Sequence, residues 1–152
     1  MPTLFTRIIN KELPGTFVYE DEVAVAFLSI NPITPGHTLV VPRLEVDQWT
    51  DAPDEVLEHL TVVAKKLGNA VRVAFGAPRA GLIIAGLEVP HLHIHVIPAW
   101  SLGDFDFAKA RPATGGELDD AAAKLRAALG RGGLGGGDQG GAGPGGASLG
   151  GA

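Results

Sequence analysis

Pro90-His91-Leu92-His93-Ile94-His95-Val96-Ile97 sets three histidines at every second position, with apolar residues between and after them. Strict alternation with β-branched residues predicts a strand. Side chains on a strand alternate between its faces, so the three imidazoles are expected on one face, with neighbours starting ~6.6 Å apart at a rise of ~3.3 Å per residue. The chain has five histidines, and three of them sit in this run. Packing alone does not call for a row of groups that titrate near neutral pH.

Working outward, Leu4-Phe5-Thr6-Arg7-Ile8-Ile9-Asn10-Lys11-Glu12-Leu13-Pro14 precedes Val18-Tyr19-Glu20-Asp21-Glu22 and Ala26-Phe27-Leu28, and then comes Pro35-Gly36-His37-Thr38-Leu39-Val40-Val41-Pro42-Arg43. These blocks resemble, in order, the N-terminal segment, first hairpin and Pro-Gly-His-x-Leu-φ-φ-Pro-Lys/Arg block of the histidine triad (HIT) family, where φ is apolar. The run at 91–97 meets every position of that family's His-φ-His-φ-His-φ-φ pattern. The resemblance spans roughly residues 3–98 and is similar to the Hint-like bacterial branch.

A chain of 152 residues suits one domain, and 45% apolar residues supply a core. No apolar run approaches the ~20 residues of a membrane span, and no basic-then-apolar leader is evident at the N-terminus. A net charge of −5 argues against nucleic-acid binding through a basic surface, but not against one bound nucleotide. With no cysteine there is neither a disulfide framework nor a thiolate metal site. A cytoplasmic location is the expectation from the missing leader and the resemblance.

Residues 3–10 read as a short helix, 16–20 and 23–28 as strands about a turn at Asp21-Glu22, and 37–41 as a third strand stopped by Pro42. Asp51 reads as the cap of a helix with Pro53 in its first turn. Val56, Leu57, Leu60, Val63, Ala64, Leu67, Val71 and Ala74 then follow at helical spacing for about five turns. Residues 81–85 and 91–97 read as strands four and five, and 117–129 as a last helix. This order indicates an α+β fold with one domain over residues 1–129. Residues 130–152 are rich in glycine and read as a disordered tail. The resemblance implies a HIT-like fold: a five-stranded, mostly antiparallel sheet with one long helix across a face, plus short N-terminal and C-terminal helices. It also implies a homodimer in which two sheets join.

Neutral imidazole is a nucleophile, and its unperturbed pKa of ~6.5 leaves it mostly neutral at pH 7. Attack through one ring nitrogen requires the proton on the other, held there by an acceptor. The resemblance assigns the nucleophile to His93, which would attack an α-phosphate and form a covalent nucleotidyl-histidine for water to hydrolyse. His95 would hydrogen-bond the phosphate or the departing group, and His91 would orient the triad. His37 would buttress it from a neighbouring strand, packing being the competing reading. Backbone N–H groups at Glu88 and Val89 would donate to the phosphate. By position, Phe5, Ile8, Phe27 and Ile30 match the residues lining the base pocket, although apolar residues in these elements also serve as core. Trp100, just past the triad strand, is a candidate cover for the site. The expected substrate is a small nucleotide or phosphate, with no cofactor, no metal, no nucleic acid and no membrane partner.

Several positions depart from the family pattern. Ser29 stands where an Asp or Asn usually holds the ribose hydroxyls, and it has a shorter reach and no charge. Leu87 replaces a common Gln, Ala85 a usual Asn, and Glu45 a frequent His, while Thr3 and Thr6 replace the Cys-x-x-Cys of some bacterial members. The last change argues against a structural zinc. These departures keep three readings open: a phosphoramidate, phosphoester or phosphoanhydride hydrolase, including a dinucleoside polyphosphate hydrolase; a catalytically weak binding protein; and a metal site built on His-x-His.

Overall fold

The computed structural model describes the backbone of residues 1–139 and the side chains of residues 1–130. Helix α1 (Leu4–Ile9) is capped by Thr3, whose side chain accepts from the Thr6 N–H. Strands β1 (Phe17–Glu20) and β2 (Ala24–Leu28) form a hairpin. Its turn closes on Asp21, whose Oδ1 accepts from the N–H groups of Val23 (2.7 Å) and Ala24 (2.8 Å). Strand β3 (Thr38–Pro42) pairs with β2 along its whole length. Helix α2 (Asp54–Phe75) then crosses to β4 (Arg79–Ile83) and β5 (Ile94–Ala99), and α3 (Gly115–Gln139) follows. The sheet order is β1-β2-β3-β5-β4, with every neighbouring pair antiparallel.

The expected α+β architecture is present, with a five-stranded sheet that is antiparallel throughout. Leu60, Val63, Ala64, Leu67 and Val71 of α2 pack on one face of the sheet against Ala24, Ala26, Val40, Leu92, Ile94 and Val96. Phe5 and Ile9 of α1 cover part of the other face, over Val25, Phe27, Leu39 and Val41. Both faces of β2 and β3 are therefore buried, and neither strand shows alternating polarity.

Five boundaries differ from the sequence reading. Asp51 does not cap α2; it ends a short 3₁₀ turn (Trp49–Asp51). Ala52, held extended before Pro53 at ψ 142°, separates the two, and Pro53 takes the cap position without a side-chain bond. Strand β4 begins at Arg79 rather than at 81, and β3 runs on through Pro42, which lies opposite Ala24. Strand β5 starts at Ile94 rather than at 91, because the β3–β5 ladder stops at Val40 opposite Ile94. Beyond that point the Leu92 N–H turns to the Val46 carbonyl (2.7 Å). The last helix overruns its expected span of 117–129, since backbone helix continues to Gln139 into the segment read as a tail. Ala121, Ala122, Leu125 and Ala128 anchor α3 in the core formed with α2. Residues 140–152 of the expected tail lie outside the described residues.

Candidate active site

The alternation read from the sequence survives the late start of β5. Leu92, Ile94 and Val96 point into the α2 core, and the three histidines emerge on the opposite face. His91 and His93 are buried and His95 is half-buried. The His93 and His95 rings lie 4.9 Å apart. His37, the residue before β3, joins them, with its ring 5.1 Å from that of His95.

Fixed hydrogen-bond partners set every tautomer in this cluster. A carbonyl only accepts, so His93 Nδ1–H donates to the His91 carbonyl (2.7 Å), which leaves the Nε2 lone pair of His93 unengaged among the described residues. His91 Nε2–H donates likewise to the Pro42 carbonyl (2.8 Å), so His91 Nδ1 accepts from the Thr3 hydroxyl (2.7 Å). The Ile33 N–H only donates, so His37 Nδ1 accepts (3.0 Å) and its Nε2–H donates to His95 Nδ1 (2.9 Å). The proton of neutral His95 is then on Nε2. The cluster thus presents a bare nitrogen on His93 beside an N–H donor on His95.

Burial keeps these rings uncharged, because a low dielectric disfavours imidazolium. It lowers His37 to about 4, with His93 adding to the effect. His95 falls to about 3 through burial and the proximity of His37 and His93. Burial lowers His93 as well, opposed by the bond to the His91 carbonyl and the charge of Glu88.

Around this centre, Phe5 stands edge-on to His93 (4.9 Å) and His91 (5.9 Å), and against Phe27 (5.5 Å). Ile8, Phe17 and Val89 pack on the same cluster, whereas Ile30 is 67% exposed and outside it. The Ser29 N–H donates to the His37 carbonyl (3.0 Å), and its hydroxyl accepts from the Asn31 N–H (3.2 Å). The N–H groups of Glu88 and Val89 find no acceptor among the described residues, and the Val89 carbonyl accepts from the His91 N–H (2.8 Å). Leu87 and Ala85 are exposed on the same loop.

Trp100 makes no ring contact with the triad among the described residues; Phe107, which the sequence reading did not single out, stands there instead, 4.8 Å from His95. Its segment returns over the sheet because the Phe105 ring fills the space where Gly81 lacks a side chain and the Arg111 and Ala113 N–H groups bond to Pro32 and Ile30. Thr34, also missed, ties the loop before β3 to β5 by donating to the Pro98 carbonyl (2.7 Å). Neither residue carries a local signal, since each reaches the site only through the return of the chain.

The HIT domain family model matches residues 10–101 of this sequence. The chain belongs to the HIT family. It is 41% identical over 113 residues to a HIT-like protein of Borreliella burgdorferi, covering 70% of this chain and 81% of that one. It is 32% identical over 117 residues to the adenosine 5'-monophosphoramidase of Saccharomyces cerevisiae, covering 70% and 74% respectively. Among solved structures it resembles a histidine triad nucleotide-binding protein of Sulfolobus tokodaii, with a TM-score of 0.76, 30% identity and coverage of 84% and 92%. Among the described residues of this HIT protein, no helix is long and apolar enough to cross a membrane.

Proposed function

We propose that this HIT protein hydrolyses a nucleoside 5'-phosphoramidate or a related nucleotidyl conjugate through a covalent nucleotidyl-histidine on His93. The observation that carries this reading is the bond from His93 Nδ1–H to the His91 carbonyl (2.7 Å), which leaves Nε2 as the only nucleophilic nitrogen of that ring. The Nε2 lone pair attacks phosphorus, and the bond to the leaving nitrogen breaks with its electron pair. That nitrogen takes up a proton from solvent along the Nε2–H edge of His95 and departs as the amine. Water then attacks the phosphorus, the bond to Nε2 breaks, and the nucleoside monophosphate leaves with a proton released to solvent. Donors at His95 Nε2 and at the N–H groups of Glu88 and Val89 stabilise charge on the phosphoryl oxygens. The cluster of Phe5, Ile8, Phe27 and Val89 offers an apolar wall for a base. Similarity to the yeast monophosphoramidase favours the phosphoramidate over a dinucleoside polyphosphate.

The test is AMP release from adenosine 5'-phosphoramidate by the intact chain and by His93→Ala. The expected result is turnover by the first and a loss of at least about a thousandfold in the second, since the nucleophile itself is removed. A folded chain that binds AMP but releases none from this substrate would instead favour the binding-protein reading, to which Ser29, Ala85 and Leu87 point.

A further inference from the structure

Thr3 and Thr6, which depart together from the family pattern, and Glu45, which departs from it about forty residues on, converge on His91 in the fold. Glu45 Oε1 accepts from the Thr3 N–H (2.9 Å) and the Thr6 hydroxyl (2.6 Å), which commits the only hydroxyl proton of Thr6. These two donors hold the Glu45 carboxyl below its ordinary range, so it is ionised at neutral pH. The Thr3 hydroxyl accepts from the Thr6 N–H (3.1 Å) and gives its own proton to His91 Nδ1 (2.7 Å). The other nitrogen of His91 donates to the Pro42 carbonyl (2.8 Å). The ring is therefore tethered at both ends.

That tether bears on the reaction because His91 precedes β5. No ladder bond holds its backbone, yet its carbonyl is what fixes the His93 proton on Nδ1. The same cluster docks α1, which carries Phe5 against the His93 ring. We infer that Glu45 is a positioning residue: through Thr3 and Thr6 it holds the His91 ring, and with it the carbonyl that keeps His93 Nε2 free for attack. The inference rests on His93 being the nucleophile.

The experiment follows the ring N–H and ¹⁵N signals of His91 and His93 in the full chain, alongside kcat and KM for AMP release, in wild type, Glu45→Ala, Glu45→Gln, Thr3→Val and Thr3→Ser. In wild type, His91 is expected to carry its proton on Nε2, and His93 a slowly exchanging proton on Nδ1. Glu45→Ala, which leaves the Thr3 helix cap intact, and Thr3→Val should speed exchange of that proton and lower kcat by about tenfold, with KM within about twofold. Glu45→Gln and Thr3→Ser, which restore an acceptor and a hydroxyl, should recover most of both. The proposal is overturned if wild-type His91 carries its proton on Nδ1, if Glu45→Ala and Thr3→Val leave the His93 signal and kcat unchanged, or if Thr3→Ser fails as Thr3→Val does. The ring signals need no turnover. A chain that releases no AMP, yet loses the His93 signal in Glu45→Ala, sinks the hydrolase reading and supports the tether.

Discussion

At neutral pH burial keeps the histidines of the site uncharged, and their surroundings set the tautomer of each. His93 and His95 are both imidazoles on one face, but the carbonyl at Nδ1 leaves the first with a bare Nε2 lone pair, and the Nε2–H of His37 leaves the second with an Nε2–H donor. Because burial lowers His93, its lone pair stays available below the ordinary value of ~6.5. The acid limb of kcat/KM for AMP release should therefore fall below that value; a limb above it would contradict the burial argument. The same shifts link pH to stability. A folded pKa lowered to about 4 in His37 and about 3 in His95 means that the unfolded chain binds protons first as pH falls. Stability from these rings is thus fully present above ~6.5 and lost progressively toward those lower values. Melting temperature at constant ionic strength should decline over that window, and less steeply in His37→Gln. The alternation of residues 91–95 was legible in the sequence, but the tautomers were not, because Ile33, Pro42 and Thr3 reach the rings from three other segments.

Among the elements, two tight junctions bear on stability. Gly36 has φ +97°, and a Cβ there would stand 2.4 Å from the Phe75 ring at the end of α2. Gly36→Ala should cost about 1 kcal/mol or more in chemical denaturation, from strain and clash together. It should also reduce activity, since the next residue is His37. The second junction is the β1–β2 turn. Burial pushes the Asp21 carboxyl up, but the Tyr19 hydroxyl, the His59 ring and the N–H groups of Val23 and Ala24 outweigh it and hold the group well below the usual carboxylate range. A carboxylate lowered on folding stabilises above its unfolded pKa of ~3.9, and that contribution fades as pH falls below it. Asp21→Asn should lower the melting temperature at pH 7 and narrow its gap from wild type in acid. The hairpin, the long helix and the Pro-Gly turn were each readable from local pattern. The true start of α2 was missed because the restraint that Pro53 places on Ala52 outweighed a plausible cap at Asp51.

At the scale of the whole molecule, the triad lies on the sheet face opposite α2, so core and site are separable. Leu67 is fully buried in the core between α2 and the sheet, on the face away from the triad. Leu67→Ala should cost about 2–5 kcal/mol in urea unfolding while leaving KM near wild type at low temperature. Among the described residues β4 forms one edge of the sheet, with no strand beyond it and a half-exposed Leu82, and we propose that a second copy of the chain pairs along it. Sedimentation equilibrium should give twice the chain mass, and Leu82→Asp should reduce it. The α+β class, the apolar stripe of α2 and the shared face of three histidines were legible along the chain, because periodicity is a local property. It took the tertiary structure to set which nitrogen of each triad histidine carries the proton, that Phe107 rather than Trp100 stands against His95, and that Thr3, Thr6 and Glu45 meet at His91. Those contacts join residues up to 88 positions apart, and side-chain pairing across such separations is set by the path of the chain, which no local pattern records.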